Sequence, residues 1–214
     1  MLGALCALSV GIIAGCSCGD CGVGSTVQRD SDKVNPVLEN IMTRTSIRQY
    51  QPGRAVPADT VEILLKAAMA APTAVNRQPW TFVVIDDRSV LDSLMAVCPN
   101  ARMLGQASMA IVTCGDMERA LEGEAREFWV EDVSAATENL LLAAHALDLG
   151  AVWTGVYPSS ERVLGVRRVL RLPENIVPLA LVPVGYPAVE PEPKDKWDPD
   201  KVVYNRWTDS VETE

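Results

Sequence analysis

The sequence predicts one α+β domain over residues 35–214, with strands and helices alternating along the chain in a three-layer order. Three observations carry this. Four short runs, Thr81–Ile85, Met109–Cys114, Ala151–Val156 and Leu179–Val184, have strand length and strand composition. Between them lie segments with helical period, the longest being Glu131–Leu149. Composition agrees, because 48% hydrophobic residues with only 5% aromatics and an Ala and Leu bias suit a helix-rich globular core. No internal repeat is present.

In chain order, Asn35 and Pro36 are a cap and first-turn pair for a helix through Met42, with Leu38, Ile41 and Met42 on one stripe. Pro57 opens an amphipathic helix, Ala58–Ala70, which Pro72 ends. Thr81–Ile85 is a strand expected to pair with Met109–Cys114. In Glu131–Leu149 the small residues Ser134, Ala135, Ala136, Ala143, Ala144 and Ala146 would let another helix approach closely. Cys98 and Cys114 lie in or beside apolar runs and are expected to pack in the core.

Residues 1–34 form a different kind of segment. Leu2–Ala14 is an uncharged apolar run suited to a secretory signal and short for a membrane helix. It leads into Ile13, Ala14, Gly15 and Cys16, which resemble a bacterial lipobox with Cys16 as the lipidated thiol, although no Lys or Arg precedes them. The Gly, Ser and Asp-rich stretch to Asp32 is expected to be a tether. Cys16, Cys18 and Cys21, in CSCGDC, also admit a zinc or iron–sulfur reading, but their spacing fits no such pattern well.

Nineteen Lys and Arg against 28 Asp and Glu give a formal charge of −9, which argues against nucleic acid as a partner and makes any anion site local. Two constellations offer such chemistry. In Arg44–Arg48, two arginines flank a serine and form a charged fork suited to a terminal phosphate; Lys194 and Lys196, in a Pro-broken tail, could close over it. The ordinary alternative is solvated arginines at a helix end and an exposed tail. The second is APTAVNRQPW, Ala71–Trp80, where two prolines hold small and amide side chains on irregular backbone between a helix and a strand. Its groups suit the edge of a flat heterocycle.

Standard catalytic sets are missing. His145, the single histidine, sits in the alanine-rich helix and is expected at a surface or facing another subunit. The sequence shows no nucleophile elbow, P-loop or GxGxxG turn. Carboxylate pairs such as Glu122 with Glu124 and Glu131 with Asp132 lie in polar stretches and are expected to be solvated. An enzyme of this kind needs a cofactor to carry its chemistry.

Taken in order, RTSIR (Arg44–Arg48), APTAVNRQPW, SAATENLLLAAHALDLG (Ser134–Gly150), WTGVYP (Trp153–Pro158) and VPVGYP leading into PKDKW resemble the FMN-dependent nitroreductase family over Asn35–Trp207. The head and the ending resemble a subgroup of anaerobic bacteria, some of whose members carry lipoprotein signals. The resemblance implies a three-layer α/β/α fold with a mixed, mainly antiparallel sheet, in an obligate homodimer whose two FMN sites are each built from both chains. Arg44, Ser46 and Arg48 match phosphate-binding positions, completed by Lys194 and Lys196. Pro72, Thr73, Ala74 and Asn76 match the loop along the flavin ring, Thr154 and Gly155 the segment near its N5 edge, and Arg102 and Asn100 a position on the pyrimidine side. Thr45 stands where an arginine or histidine is frequent, Thr73 where a serine is, and Lys196 where an arginine is.

The implied activity passes two electrons as hydride from a reduced donor, NAD(P)H, through FMN N5 to a nitroaromatic, quinone or similar small acceptor. The implied partners are that small molecule and a second copy of the chain. A lipidated Cys16 would anchor the domain to a membrane outside the cytoplasm, and this location is favoured over a cytoplasmic one. NAD(P)H is scarce there, so a membrane-tethered flavin relay without nicotinamide turnover is the alternative.

Overall fold

A computed structural model describes residues 35–190 and 192–207. The lipobox-like head, with Cys16, Cys18 and Cys21, lies outside the described residues. Helix α1 (Pro36–Thr43) starts as its sequence predicts, since the Asn35 side chain accepts the N–H groups of Val37 and Leu38. Helix α2 (Ala58–Met69) leads through the 71–79 loop to β1 (Trp80–Ile85). Then come α3 (Arg88–Val97), β2 (Met109–Asp116), the 19-residue α4 (Phe128–Ala146), the two-residue strands β3 (Gly150–Ala151) and β4 (Thr154–Gly155), α5 (Ser160–Leu170) and β5 (Ile176–Gly185).

The sheet runs β1-β2-β5-β3, with β4 also paired to β5, and every pairing among the described residues is antiparallel. Thr81 faces Cys114 and Ile85 faces Ala110, the expected strand pair. Strand residues alternate between faces, and this builds the three layers. Met109 and Ile111 of β2 join Leu64 and Ala68 of α2 and Val133, Ala136 and Leu140 of α4 on one side. Ala110, Val112 and Cys114 join Leu91 and Leu94 of α3 and Val166 of α5 on the other. Each such leucine, taken fully out of water, contributes roughly 1.5–3 kcal/mol. Cys98 and Cys114 are buried free thiols, as expected, and burial pushes Cys114 up to about 12.

Two sequence expectations need correction. The single strand Ala151–Val156 is two short ones, because Val152 would sit opposite Pro183, which has no N–H to give a ladder. The bulge between Thr113 and Cys114 likewise falls where Pro178 enters the register of β5. Helices α3 and α5 were not anticipated, although Asp87 and Ser159 cap them. The small residues of α4 admit a close neighbour, as expected: Ala136 and Ala144 are fully buried and the Asn139 amide donates to Ala67 O at the end of α2, while Ser134, Ala135 and Ala143 are half-buried and Ala146 is exposed. Helix α1 carries bare apolar surface, with Val37 and Met42 64% and 70% exposed beside exposed Leu38 and Ile41.

Candidate functional site

Residues 44–51 leave α1 as extended chain, and two anchors hold them. Ile47 N–H donates to Ala151 O at 3.0 Å, and its side chain lies on Gly150, where an added Cβ would come 2.6 Å from Ile47 Cγ2. Tyr50, 1% exposed, donates its hydroxyl to Ile47 O at 2.8 Å and Pro183 O at 3.2 Å. Burial pushes the Tyr50 hydroxyl well above its usual range, so it stays a neutral donor. Beyond it, Gln51 N–H donates to Tyr186 O and Ala188 N–H to Gln49 O. This pairing brings the chain after β5 alongside residues 44–51.

The result is a cleft of about 470 Å³ lined by Arg44, Thr45, Ser46 and Arg48 from one side and Lys194 and Lys196 from the other. Arg48, Lys194 and Lys196 are exposed, so three of the four charges are solvated along this cleft, and only Arg44 is half-buried. Four cations outnumber the two carboxylates of Glu190 and Glu192 that share the lining. Arg44 is the fixed member, since its Nε lies 3.1 Å from Glu138 Oε1 and its side chain is 15% exposed. Guanidinium forks, ammonium groups and two hydroxyls are a donor set that could hold a phosphate monoester. Thr45 adds a hydroxyl where an arginine or histidine is frequent, and Lys196 reaches the cleft as a point charge.

His145 departs from expectation. It is half-buried against the end of α1, with Nε2 2.9 Å from Thr43 Oγ1. The Thr43 hydroxyl gives its proton to Glu39 O at 2.7 Å, so its oxygen accepts from the imidazole. Burial and then the nearby Arg44 charge hold His145 below its ordinary value.

The Ala71–Trp80 loop is held at both ends. Ala71 and Trp80 are buried, while Pro72 and Val75–Gln78 are exposed. Thr73 accepts the Gln78 N–H through Oγ1 at 3.1 Å, and its carbonyl accepts from Asn76. Val75, Asn76 and Gln78 have φ of 51°, 54° and 50°. Left-handed backbone at a β-branched residue costs about 1–2 kcal/mol, and Val75 is nonetheless 82% exposed. Asp132 of α4 corrects the solvated reading of its carboxylate: it is 6% exposed and takes the Ala74 N–H at 2.7 Å. Periodicity could have found it, because Asp132 shares the i, i+4, i+8 stripe of Ala136 and Leu140.

Thr154 is buried, its hydroxyl given to Leu181 O, so it holds β4 on β5 and leaves backbone to the site. Gly155 O accepts from Arg162 Nη1 at 2.6 Å and from Asn100 Nδ2 at 3.3 Å. Arg102 is exposed on the turn Pro99–Gly105. One chain therefore unites the phosphate set but not the whole predicted site. Pro72, Thr73, Ala74, Asn76, Arg102, Thr154 and Gly155 do not line the cationic cleft. The loop anchor Asp132 and the Arg44 partner Glu138 share α4, six residues and about 9 Å apart along its axis.

A sequence model of the nitroreductase family matches residues 41–98 and 91–186, which include the Arg44–Arg48 segment, the strained loop and the whole sheet. The chain belongs to the nitroreductase family. Among relatives of this nitroreductase, the protein of Methanothermobacter thermautotrophicus named "Putative NADH dehydrogenase/NAD(P)H nitroreductase" is 46% identical over 171 residues, covering 80% of this chain and 87% of the relative. A solved structure of the same name from Bacteroides thetaiotaomicron is 44% identical, with a TM-score of 0.77, covering 82% of this chain and 100% of that one. An FMN-dependent nitroreductase from Clostridium difficile is 27% identical with a TM-score of 0.72, covering 79% and 99%.

Proposed function

We propose that this nitroreductase is an FMN-dependent oxidoreductase that draws electrons from NAD(P)H and passes them to a nitroaromatic, quinone or similar small acceptor. The observation that carries the reading is the convergence of Arg44, Arg48, Lys194 and Lys196 with the Ser46 hydroxyl on one cleft. Bound FMN supplies two-electron, hydride-level chemistry. The chain supplies binding and orientation. Arg44, pinned by Glu138, and Arg48 hold the phosphate, and the two lysines close over it. The loop Pro72–Asn76 offers backbone and amide groups to the ring edge, and β4, tied down by Thr154 and by the donors on Gly155 O, backs the segment near N5. Arg102 is assigned to the pyrimidine side. No side chain is required as an acid or base, and His145 is committed to Thr43.

The active form in this proposal is a homodimer, with the ring loop of one copy completing the phosphate cleft of the other. Two features support it: the cleft and the loop stay apart in one chain, and α1 presents a bare stripe of Val37, Leu38, Ile41 and Met42. The head is assigned to a lipoprotein signal, with Cys16 lipidated and the domain, residues 35–214, tethered outside the cytoplasm. Mass spectrometry of the protein from its producing cell tests this, and an intact, unlipidated Met1 would refute it.

The central test is the absorption spectrum of purified protein after adding FMN. A flavin band that bleaches on addition of NADH or NADPH is expected. Failure to retain flavin would refute the reading, and retained flavin that neither nicotinamide bleaches would move it to the electron-relay alternative.

A further inference from the structure

We propose that Asp132 is the positioning residue of the flavin-ring loop: its carboxylate takes the Ala74 N–H and so ties the left-handed turn at Val75 and Asn76 to α4. The inference rests on the flavin reading above and deepens it by naming what sets the loop's place.

Asp132 lies on the face of α4 that Val133, Ala136, Thr137 and Leu140 turn inward, and it is 6% exposed. A carboxylate on such a face is costly to desolvate unless it is hydrogen-bonded, and an apolar residue would fill the space without that cost. Its oxygen lies 2.7 Å from Ala74 N, within the usual span of a charge-assisted bond. The other bonds of the turn are local: Asn76 N to Thr73 O, Arg77 N to Ala74 O, and Gln78 N to Thr73 Oγ1, each 3.1 Å. They shape the turn, and the buried ends at Ala71 and Trp80 hold its flanks, but none of them ties residues 74–78 to α4. Among the described residues, Asp132 provides the one side-chain hydrogen bond that reaches 71–78 from outside the loop.

The turn itself is strained. Three non-glycine residues in four positions, Val75, Asn76 and Gln78, hold positive φ. Without an external tether such a segment relaxes toward commoner backbone, and the ring edge then meets groups in other positions. Asp132 therefore works through Ala74 and need not touch the ligand.

The experiment measures FMN and riboflavin affinities of the full chain by flavin fluorescence quenching, for wild type, Asp132→Ala and Asp132→Asn. Asp132→Ala weakens both ligands about tenfold or more and by the same factor, because the ring end is disturbed and the phosphate cleft is not. Asp132→Asn keeps an oxygen acceptor and restores most of the affinity. The inference is overturned if Asp132→Ala binds both ligands like wild type, if it weakens FMN alone, or if Asp132→Asn binds as poorly as Asp132→Ala. Should Asp132→Ala not fold, hydrogen exchange in the wild type decides. An Ala74 amide about tenfold or more slower than a free amide supports the tether, and free exchange refutes it. Wild-type protein that takes up no flavin would instead sink the function proposal, a separate result.

Discussion

Gly150 lies directly under Ile47, so close that a β-carbon on Gly150 would meet Ile47 Cγ2 at 2.6 Å. Residues 44–48, proposed to hold the phosphate, are seated on this contact and on the bond from Ile47 N–H to Ala151 O. Gly150→Ala should therefore destabilise the fold by about 1–3 kcal/mol through overpacking and shift residues 44–48. Thermal unfolding reads the first effect, and FMN titration reads the second as weaker binding. A variant with wild-type stability and affinity would show that the contact yields at no cost.

Replacing Arg44 and Arg48 together with alanine should weaken FMN by about a hundredfold or more, since two charge-assisted bonds are lost at about 1.5–3 kcal/mol each. Riboflavin, which has no phosphate, should bind the variant as it binds wild type. Equal losses for both ligands would move the arginines away from the phosphate.

Tyr50→Phe removes the hydroxyl that Ile47 O and Pro183 O share. Two buried carbonyls then lose a donor, which costs about 1–3 kcal/mol in a denaturant melt. Because the bond also fixes the register of residues 47–50, FMN affinity should fall with it. Stability unchanged by the substitution would mean that these carbonyls find other donors.

His145 gives the fold an acid-side slope. Its folded value lies below its ordinary 6.5, through burial and then Arg44. Above pH 6.5 both folded and unfolded forms are neutral at this site and it has no effect. As pH falls below 6.5 the unfolded chain binds the proton that the folded one resists, so stability drops until the folded value is passed, then levels. His145→Gln should flatten that slope in urea melts below pH 6.5. An unchanged slope would assign it to other groups.

Leu38→Glu together with Ile41→Glu places charge on the bare stripe of α1. In the proposed homodimer this should give monomers in sedimentation velocity and loss of bound FMN, with the fold intact by circular dichroism. Dimers that persist would place the interface elsewhere.

Much of this was legible because local chemistry announces itself locally. Asn35 with Pro36 marks a helix start, and the arginines around a hydroxyl at 44–48 do line one cleft with Lys194 and Lys196. What stayed hidden depends on contacts across the chain. Asp132 stands beside Glu131 in a polar-looking stretch, and only its place on the inward stripe of α4 separates the buried carboxylate from the exposed one. Tyr50 carries no motif, and its role exists only where Pro183 and Ile47 meet it. The alanine seam said that a helix could come close without saying which, and α2 of the same chain packs on part of it.

The strand that completes the sheet ends at Gly185, while the two lysines of the phosphate cleft come later, at 194 and 196. A chain emerging from the ribosome can thus close its sheet before it can grip a phosphate. On the proposed reading, cofactor capture would then wait for the tail that follows β5.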